Sequence, residues 1–427
     1  MEIEEHLFRR EAGRLVAVLT RLFGVHNLAL AEDVVQDAFC QALETWKFHG
    51  VPRNPSAWLL ATARNRALDV LRREGTARKF APELGRLLES EWTVAPVVAE
   101  AFDVDGIADA QLRMMFSCIH PKLPEETQIA LVLHLLGGFS MDETAAAFLK
   151  DPGAVRRKLH RAKRTIAGSR DLFDVSGPKD VAARLPAVLR TLYLLFNEGY
   201  HGASAEAAVR ADLCREALRL TALLLENPLT ASPATHALDA LLCFLAARLP
   251  GRLDETGDLL PLHDQDRSQW DQQLIADGRR QLELSASGTK LTAYHVEAAI
   301  ASAHADAPSL QATDWAAIVS LYDALMRIQP SPVVALNRAV AVALRDGPAQ
   351  GLEAVEQIRG RKRLLRYPFY FAVLGELALR LGRPGRARDY FRSALKLARN
   401  PAERRFLDKR LRSCRRSGAR SHAGTVA

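Results

Sequence analysis

Cations are concentrated in one stretch near the middle of the chain, where their spacing suits nucleic-acid chemistry. Residues 155–166 read VRRKLHRAKRTI. The apolar residues recur at three- and four-residue intervals, which predicts a helix with one buried stripe. These apolar positions are Val155, Leu159, Ala162 and Ile166. Arginine donates paired hydrogen bonds to guanine, and arginine and lysine both neutralise phosphate, so the other faces of this helix suit DNA binding.

Six cations of this helix are expected to contact DNA, and their positions divide them into two roles. Early exposed residues of such a helix reach base edges, whereas later ones neutralise phosphate and position the protein. The expected base contacts are Arg156, Arg157 and Lys158, and the expected phosphate contacts are Arg161, Lys163 and Arg164. A solvated basic helix face is the alternative interpretation.

The residues before the basic helix favour the DNA-binding interpretation. Residues 125–136 are an apolar helical stretch that Gly137-Gly138 would end. Ser140 and Glu143 have the spacing of a capping box, which predicts a second short helix. Asp151 and Pro152 are suited to the N-cap and first turn of the basic helix. Two helices, a tight turn and a basic second helix describe a helix-turn-helix, whose second helix enters the major groove.

Residues 30–74 contain a second set of polar side chains on predicted helices. The segment AEDVVQDAF (31–39) places acids and a glutamine opposite apolar residues. The segment WLLATARNRALDVLRR (58–73) mixes a tryptophan with an asparagine and several arginines. Aromatic and cationic side chains together suit single-stranded DNA, because bases stack on the rings and cations neutralise phosphates. An ordinary amphipathic helix is the alternative interpretation of this segment alone.

Composition places the chain among soluble proteins of several domains. Its 427 residues suggest about three domains, and 48% hydrophobic and 25% charged residues are ordinary for a globular protein. The net charge of +8 suits a polyanionic partner. The five cysteines form no CxxC pair, so neither a disulfide framework nor a metal site is expected. No signal peptide or membrane span is predicted, and we expect a cytoplasmic protein without membrane contact.

The periodicity predicts an all-α protein with helical repeats near its C-terminus. In LGELALRLGRPGRARDYFRSALKLA, which begins at Leu374, small and large residues have the spacing of a tetratricopeptide unit, and a weaker copy begins about 36 residues earlier. Two ordinary antiparallel helix pairs are the alternative. The predicted divisions are a first helical domain (1–75), a linker (76–109), the helix-turn-helix (110–170), a helical extension (182–290), tetratricopeptide-like repeats (291–412) and a basic disordered tail (413–427).

The chain resembles regions 2 and 4 of extracytoplasmic-function sigma factors in the segments AEDVVQDAF, AWLLATARNRALDVLRR, GGFSMDETAAAFL and VRRKLHRAKRTI. Later segments, among them LPAVLRTLYLLFNEGYHGAS and LHDQDRSQWD, resemble the group of these factors that has a long tetratricopeptide-like extension. The resemblance implies an alternative sigma factor that binds core RNA polymerase and directs promoter-specific initiation of transcription.

The resemblance also implies a role for each candidate residue. Asp33, Gln36 and Asp37 would bind the clamp coiled coil of the polymerase β′ subunit. The −10 promoter element would be bound by the loop 48–56 with Arg64, Asn65, Arg66, Arg72 and Arg73, and residues 153–164 would read the −35 element. Family members often have threonine where this chain has Gly153-Ala154. A hydroxyl expected to contact phosphate is therefore missing there.

Two other classes of function differ in how well they fit the sequence. No Gly-rich phosphate loop, HExxH or GxSxG motif is present, so we expect neither an enzyme nor a cofactor. A helix-turn-helix regulator with a repeat scaffold, acting without polymerase, is the stronger alternative. Five polar or aromatic residues of the C-terminal half are expected either to form structural hydrogen bonds or to contact a protein or effector ligand. They are Glu198, Asp264, Asp266, Arg267 and Trp270.

Overall fold

The computed structural model describes residues 5–73, 114–116, 118–119, 123–147, 151–167, 178–201 and 209–423. These residues form α-helices and short 3-10 turns, with one isolated bridge between Leu253 and Leu259 and no strand. The all-α prediction is therefore confirmed. The expected linker (76–109) lies outside the described residues.

The chain divides into two compact units. The first comprises residues 1–196 and 219–231, and the second comprises 197–218 and 232–427. The first unit contains α1 (Glu5–Phe23), α2 (Leu28–His49), α3 (Pro55–Arg73), α4 (Glu125–Leu135), α5 (Met141–Ala147) and α6 (Pro152–Ala167). The next two helices, α7 (Pro178–His201) and α8 (Ala211–Glu226), contribute residues to both units. A boundary at residue 182 would therefore cut through α7.

The second unit continues as a chain of antiparallel helices. These are α9 (Pro233–Ala246), α10 (Gln272–Ser285), α11 (Ala293–Asp306), α12 (Trp315–Ile328), α13 (Pro332–Arg345), α14 (Pro348–Glu356), α15 (Pro368–Arg380), α16 (Pro384–Lys396) and α17 (Pro401–Ala423). Many begin at a proline, whose fixed φ and missing N–H suit the first helical position. Helix α17 runs through residues 413–423, the part of the chain where the sequence predicted a basic disordered tail.

The residues that suggested a repeat pack between α15 and α16. A Cβ added to Gly375 would lie 2.8 Å from the ring of Phe391, so only glycine lets these helices approach so closely. Gly382 has φ 68°, which is the left-handed conformation of a turn that glycine adopts without strain. Ala387, Phe391 and Ala394 are buried between the helices and α17. The earlier copy forms the similar pair α13 and α14, in which Gly351 lies against Ala343.

Candidate nucleic-acid interface

Local capping fixes the helix pair α5–α6, as the sequence predicts. The Ser140 N–H donates to Glu143 Oε2 over 2.8 Å, and the Glu143 N–H donates to Ser140 Oγ over 3.1 Å. This reciprocal pair satisfies backbone donors at the start of α5. The Ala154 N–H donates to Asp151 Oδ1 over 2.8 Å, so Asp151 caps α6. Gly138, with φ 67°, forms the turn that ends α4. The expected helix-turn-helix starts and stops are therefore present.

Helix α6 presents its arginines to solvent and its apolar stripe to the protein. Val155, Leu159, Ala162 and Ile166 are all buried. The exposed cations are Arg156, Arg157, Arg161 and Arg164. Guanidinium groups with this exposure are available for bases or phosphates without rearrangement of the helix. Gly153 and Ala154 begin this surface without a hydroxyl.

The two lysines of α6 differ from its arginines because each is held in an ion pair. Lys158 Nζ lies 3.1 Å from Glu126 Oε2 on α4. Lys163 Nζ lies 2.7 Å from Glu32 Oε1 on α2, and both side chains are about one-fifth exposed. A half-buried pair of this geometry is screened less by salt than a surface pair. Two expected DNA contacts are therefore engaged within the protein in this conformation.

Glu32 also lies beside His134, which completes a small polar cluster between α2, α4 and α6. His134 Nε2 is 3.9 Å from Glu32 Oε1, and His134 Nδ1 donates to the carbonyl oxygen of Phe139 over 2.8 Å. Burial lowers the pKa of His134, and Lys163 adds to that effect. The imidazole is consequently neutral at neutral pH, and the charge on Glu32 is balanced by Lys163. Sequence reasoning missed Glu32, because its partners are distant in the chain.

A second contact joins the same parts of the first unit. Gly13 of α1 lies directly against the backbone of Leu136, and any Cβ at this position would overlap the Leu136 carbonyl oxygen. Both residues are buried. The helix-turn-helix thus packs on α1 and α2 in this conformation, through an apolar backbone contact and the Glu32 ion pair.

The acidic residues of α2 form an exposed face. Asp33, Gln36 and Asp37 are all exposed, while Val34, Val35 and Ala38 are buried behind them. Arg66 Nε lies 3.1 Å from Asp37 Oδ2, with both side chains about half exposed. The structure therefore brings together two residues that the sequence assigned to different partners, Asp37 to a protein and Arg66 to DNA.

The loop between α2 and α3 is bounded by aromatic residues. Trp46 is buried and meets Trp58 edge to face, with ring centroids 5.4 Å apart. Asn54 caps α3, because its Oδ1 accepts the Ala57 N–H over 3.0 Å. Phe48 is 79% exposed at the end of α2, which is unusual for a phenylalanine. Its position at the loop could have been noticed in the sequence, but its exposure could not.

The remaining candidates of this region lie on the outer side of α3. Arg64 Nη2 donates to Asn65 Oδ1 over 3.1 Å. Asn65, Arg66 and Arg72 are exposed, whereas the side chain of Arg73 lies outside the described residues. This surface combines cations and an amide, and can chemically bind unpaired bases and phosphate.

Two of the five polar or aromatic candidates of the second unit, Asp266 and Arg267, make structural hydrogen bonds. Arg267 donates to the carbonyl oxygens of His304 and Ala307 and to the Thr313 hydroxyl. Asp266 caps a short 3-10 helix by accepting the Ser268 N–H over 2.9 Å. Trp270 is buried, and Glu198 is also buried. Asp264 lies in a neighbouring 3-10 turn.

Three other kinds of site bear on what the described part of the chain can do: metal sites, membrane spans and thiols. No three His, Cys, Asp or Glu side chains there converge in a way that would hold a metal ion. No helix of the described ranges is long and apolar enough to span a membrane. All five cysteines are free thiols, of which Cys40 is exposed.

Three family descriptions match separate parts of the chain. Residues 7–76 match Sigma-70 region 2, and residues 113–166 match Sigma-70, region 4. Residues 184–286 match a family of unknown function, DUF6596. The first two matches contain the exposed faces of α2 and α3 and the helix pair α5–α6, respectively.

Several relatives resemble the chain in sequence. Uncharacterized protein R00370 of Rhizobium meliloti (strain 1021) is 38% identical over 396 residues, 93% of this chain and 92% of that protein. RNA polymerase sigma factor CarQ of Myxococcus xanthus is 31% identical over 37% of this chain and 83% of CarQ. ECF RNA polymerase sigma factor BldN of Streptomyces coelicolor is 29% identical over 34% of this chain and 52% of BldN. No solved structure matches the chain.

Proposed function

This chain belongs to the extracytoplasmic-function family of RNA polymerase sigma factors, and we propose how its helices divide the work of initiation. It is an alternative sigma factor that directs the initiation of transcription. Sigma factors bind core RNA polymerase and promoter DNA and are generally regulators rather than enzymes. We propose the same for this chain, with no catalytic step of its own and with its place of action in the cytoplasm.

Helix α6 reads the −35 element in this proposal. The observation that supports it most directly is the capped α5–α6 pair, which exposes four arginines opposite a buried apolar stripe. Arg156 and Arg157 contact bases, and Lys158 joins them when released from Glu126. Arg161, Lys163 and Arg164 contact phosphates.

The outer side of α3 and the loop before it bind the −10 element. Exposed cations and an exposed aromatic ring are the groups that hold unpaired bases and their phosphates. The residues proposed for this role are Arg64, Asn65, Arg66, Arg72 and Arg73, together with the loop 48–56. Phe48 adds an aromatic face to that surface.

The acidic face of α2 binds the clamp coiled coil of the polymerase β′ subunit. Its three residues, Asp33, Gln36 and Asp37, are exposed although neighbouring helix positions are buried, and Asp37 forms a half-exposed ion pair with Arg66 that a partner would have to replace. Charge complementarity of this kind chiefly gives specificity and fast association.

A charge-reversal experiment tests the sigma-factor assignment. Asp33→Lys combined with Asp37→Lys should abolish binding of purified core polymerase, measured by competition with another sigma factor for the core. Glu44→Lys is the matched control, because Glu44 is an exposed acid farther along the same helix. DNA binding by α6 should persist in the double variant. Unchanged affinity for core polymerase would mean that the acidic face of α2 is only solvated surface. The alternative function, a DNA-binding regulator that acts without polymerase, would then be favoured.

We propose that the chain is organised as region 2 (1–75), a linker (76–109), region 4 (110–170) and a C-terminal regulatory part. The extension (182–290) and the tetratricopeptide-like repeats (291–412) form that last part. Stacked helix pairs of this kind create concave surfaces that bind partners. The second unit therefore binds a protein or an effector that controls the sigma regions. The packed cores of the α13–α14 and α15–α16 pairs support this division.

A further inference from the structure

The second unit contains a preformed cavity among α11, α12, α13 and α15. Its volume is about 320 Å³, which lies within the range of small-molecule sites. Most of the lining is apolar. The side chains that form its walls are Trp315, Ile318, Tyr322, Val340, Val373 and Leu377. A ligand that covers this apolar lining removes it from water, which favours binding.

The aromatic wall of the cavity is held rigidly. Trp315 and Tyr322 are two turns apart on α12 and therefore lie on one face of that helix. Trp315 Nε1 donates to the carbonyl oxygen of Leu310 over 3.2 Å, and the His304 ring meets the indole edge to face at 5.4 Å. Burial and Glu297 raise the pKa of Tyr322 to about 12, so its phenol is neutral. A wall fixed in advance loses little conformational freedom on binding.

The charged side chains that line the cavity are Glu376 and Arg380. Glu376 forms a close ion pair with Arg410 and also lies 3.6 Å from Arg380 Nε. One carboxylate is thus shared by two guanidinium groups, and Arg380 keeps its Nη donors without a partner among the described residues. An arginine fork with free donors suits a carboxylate or a similar oxyanion.

The imidazole of His304 also lines the cavity. Burial lowers the pKa of His304 to about 4, and Arg248 and Arg267 add to the effect. Neither arginine is bonded to a carboxylate in the described part of the chain: Arg248 donates to Gln265, and Arg267 donates to carbonyl and hydroxyl oxygens. The cavity is therefore lined by a neutral imidazole, and the backbone carbonyl of the same residue accepts a hydrogen bond from Arg267.

We propose that this cavity binds a small amphipathic organic acid. Its aromatic or aliphatic body fills the apolar walls, and its single acidic group accepts hydrogen bonds from Arg380. The proposal deepens the regulatory role proposed for the second unit and rests on that role only for its effect on transcription. A neutral apolar compound lacks the group that Arg380 would hold, and the cavity is too small to enclose a folded protein segment.

Two fluorescent probes of similar shape test the proposal on the full-length chain. The anionic probe is 1-anilinonaphthalene-8-sulfonate, and its uncharged counterpart is N-phenyl-1-naphthylamine. Both should bind with one-to-one stoichiometry to protein whose near-ultraviolet circular dichroism is unchanged, since loosely packed states also bind such dyes. Arg380→Gln should weaken binding of the anionic probe about tenfold, because it removes a charge-assisted hydrogen bond. The affinity for the neutral probe should change by less than about twofold in Arg380→Gln, because that probe has no acidic group for Arg380 to bind.

Control variants separate the cavity from the rest of the surface. Arg386→Gln removes an exposed cation of α16 that does not line the cavity, and it should change the affinity of neither probe. Leu344→Trp and Val340→Phe each fill the cavity from α13, and both probes should then bind far more weakly. Using two filling variants guards against one of them failing to fold. Probe binding that survives both folded variants overturns the proposal, as does equal weakening of the two probes by Arg380→Gln.

A transcription readout distinguishes failure of the site from failure of its proposed role. Suppose that a filling variant loses both probes and still transcribes like the unchanged chain in a run-off assay with core polymerase. The binding site is then established and its regulatory role is wrong. If neither probe binds the unchanged chain, the site itself is wrong, whatever the variants do to transcription.

Discussion

The individual cations of α6 differ in whether they are exposed or already engaged in ion pairs. Arg156 and Arg157 are exposed and begin the helix, whereas Lys158 and Lys163 are held by Glu126 and Glu32. Sequence identifies all of them equally, because charge and spacing are visible there. The ion pairs are tertiary, and only the structure shows which cations are already engaged.

Arg156→Ala and Arg157→Ala should each weaken promoter binding selectively at the −35 element. A good bidentate contact with a base contributes ~1–3 kcal/mol of discrimination. Fluorescence anisotropy with the cognate element and with scrambled DNA measures the difference. Arg164→Ala is the comparison, since loss of a phosphate contact should weaken both DNAs alike. If Arg156→Ala and Arg157→Ala also weaken both DNAs alike, these arginines are phosphate contacts.

A buried acid of the second unit should make its stability depend on pH. Asp239 is 6% exposed on α9, and burial raises the pKa of its carboxyl to about 7. Because the unfolded chain releases this proton near its ordinary pKa, the folded state is stabilised below that value. The stabilisation is lost as the pH rises through about 7. The total change is about 4 kcal/mol, at 1.36 kcal/mol for each unit of pKa difference.

Asp239→Asn tests this dependence, because asparagine keeps the shape and removes the titration. Urea unfolding followed by circular dichroism at several pH values should show a flatter profile and a gain of stability above pH 7. Asp277→Asn, on the facing helix α10, should leave most of the dependence in place. A profile unchanged by Asp239→Asn would contradict the assignment of the titrating group.

At the scale of helices, the sequence predicts interactions between residues close together in the chain, such as caps. It misses interactions between residues far apart in the chain. The Ser140–Glu143 capping box and the Asp151 cap depend on residues three positions apart, so spacing alone indicates them. The Lys163–Glu32 pair joins residues 131 positions apart and leaves no periodic signal. The boundary between the two units also depends on distant contacts, and local periodicity does not show it. Helix α7 is continuous in sequence, yet its two ends belong to different units.

The Glu32–Lys163 pair should restrain α6 and withhold one phosphate contact. Glu32→Gln removes the charge that holds Lys163, so promoter affinity should rise and become more dependent on salt. One additional phosphate contact steepens the plot of log affinity against log salt by about 0.9. Glu44→Gln is the matched control, since Glu44 is an exposed acid of the same helix that forms no ion pair among the described residues. An unchanged slope in Glu32→Gln would mean that Lys163 does not contact DNA.

At the scale of the whole chain, the proposed function places α3 and α6 at separate promoter elements. In this conformation α6 packs on α2 through Lys163, and α1 packs on the end of α4 through Gly13. Such contacts hold these helices closer together than one helical turn of duplex, which is ~34 Å. The proposed linker (76–109) is about 30 residues long, enough for an extended chain to span up to ~100 Å. If α3 and α6 bind separate elements as proposed, we expect these contacts to open on the promoter.

Removal of the second unit should reveal whether it controls that opening. Ending the chain after Ala231 removes the second unit except residues 197–218, and it leaves α7 and α8 uncut. The shortened protein should keep the helix content expected for its length, measured by circular dichroism, because the first unit has its own buried core. Its run-off transcription with core polymerase should fall, since the partner or effector site that supports the sigma regions is gone. Full-length protein with Arg156→Ala and Arg157→Ala provides the reference for lost promoter binding. If the shortened protein transcribes like the full-length chain, with and without cell extract, the second unit has no regulatory role.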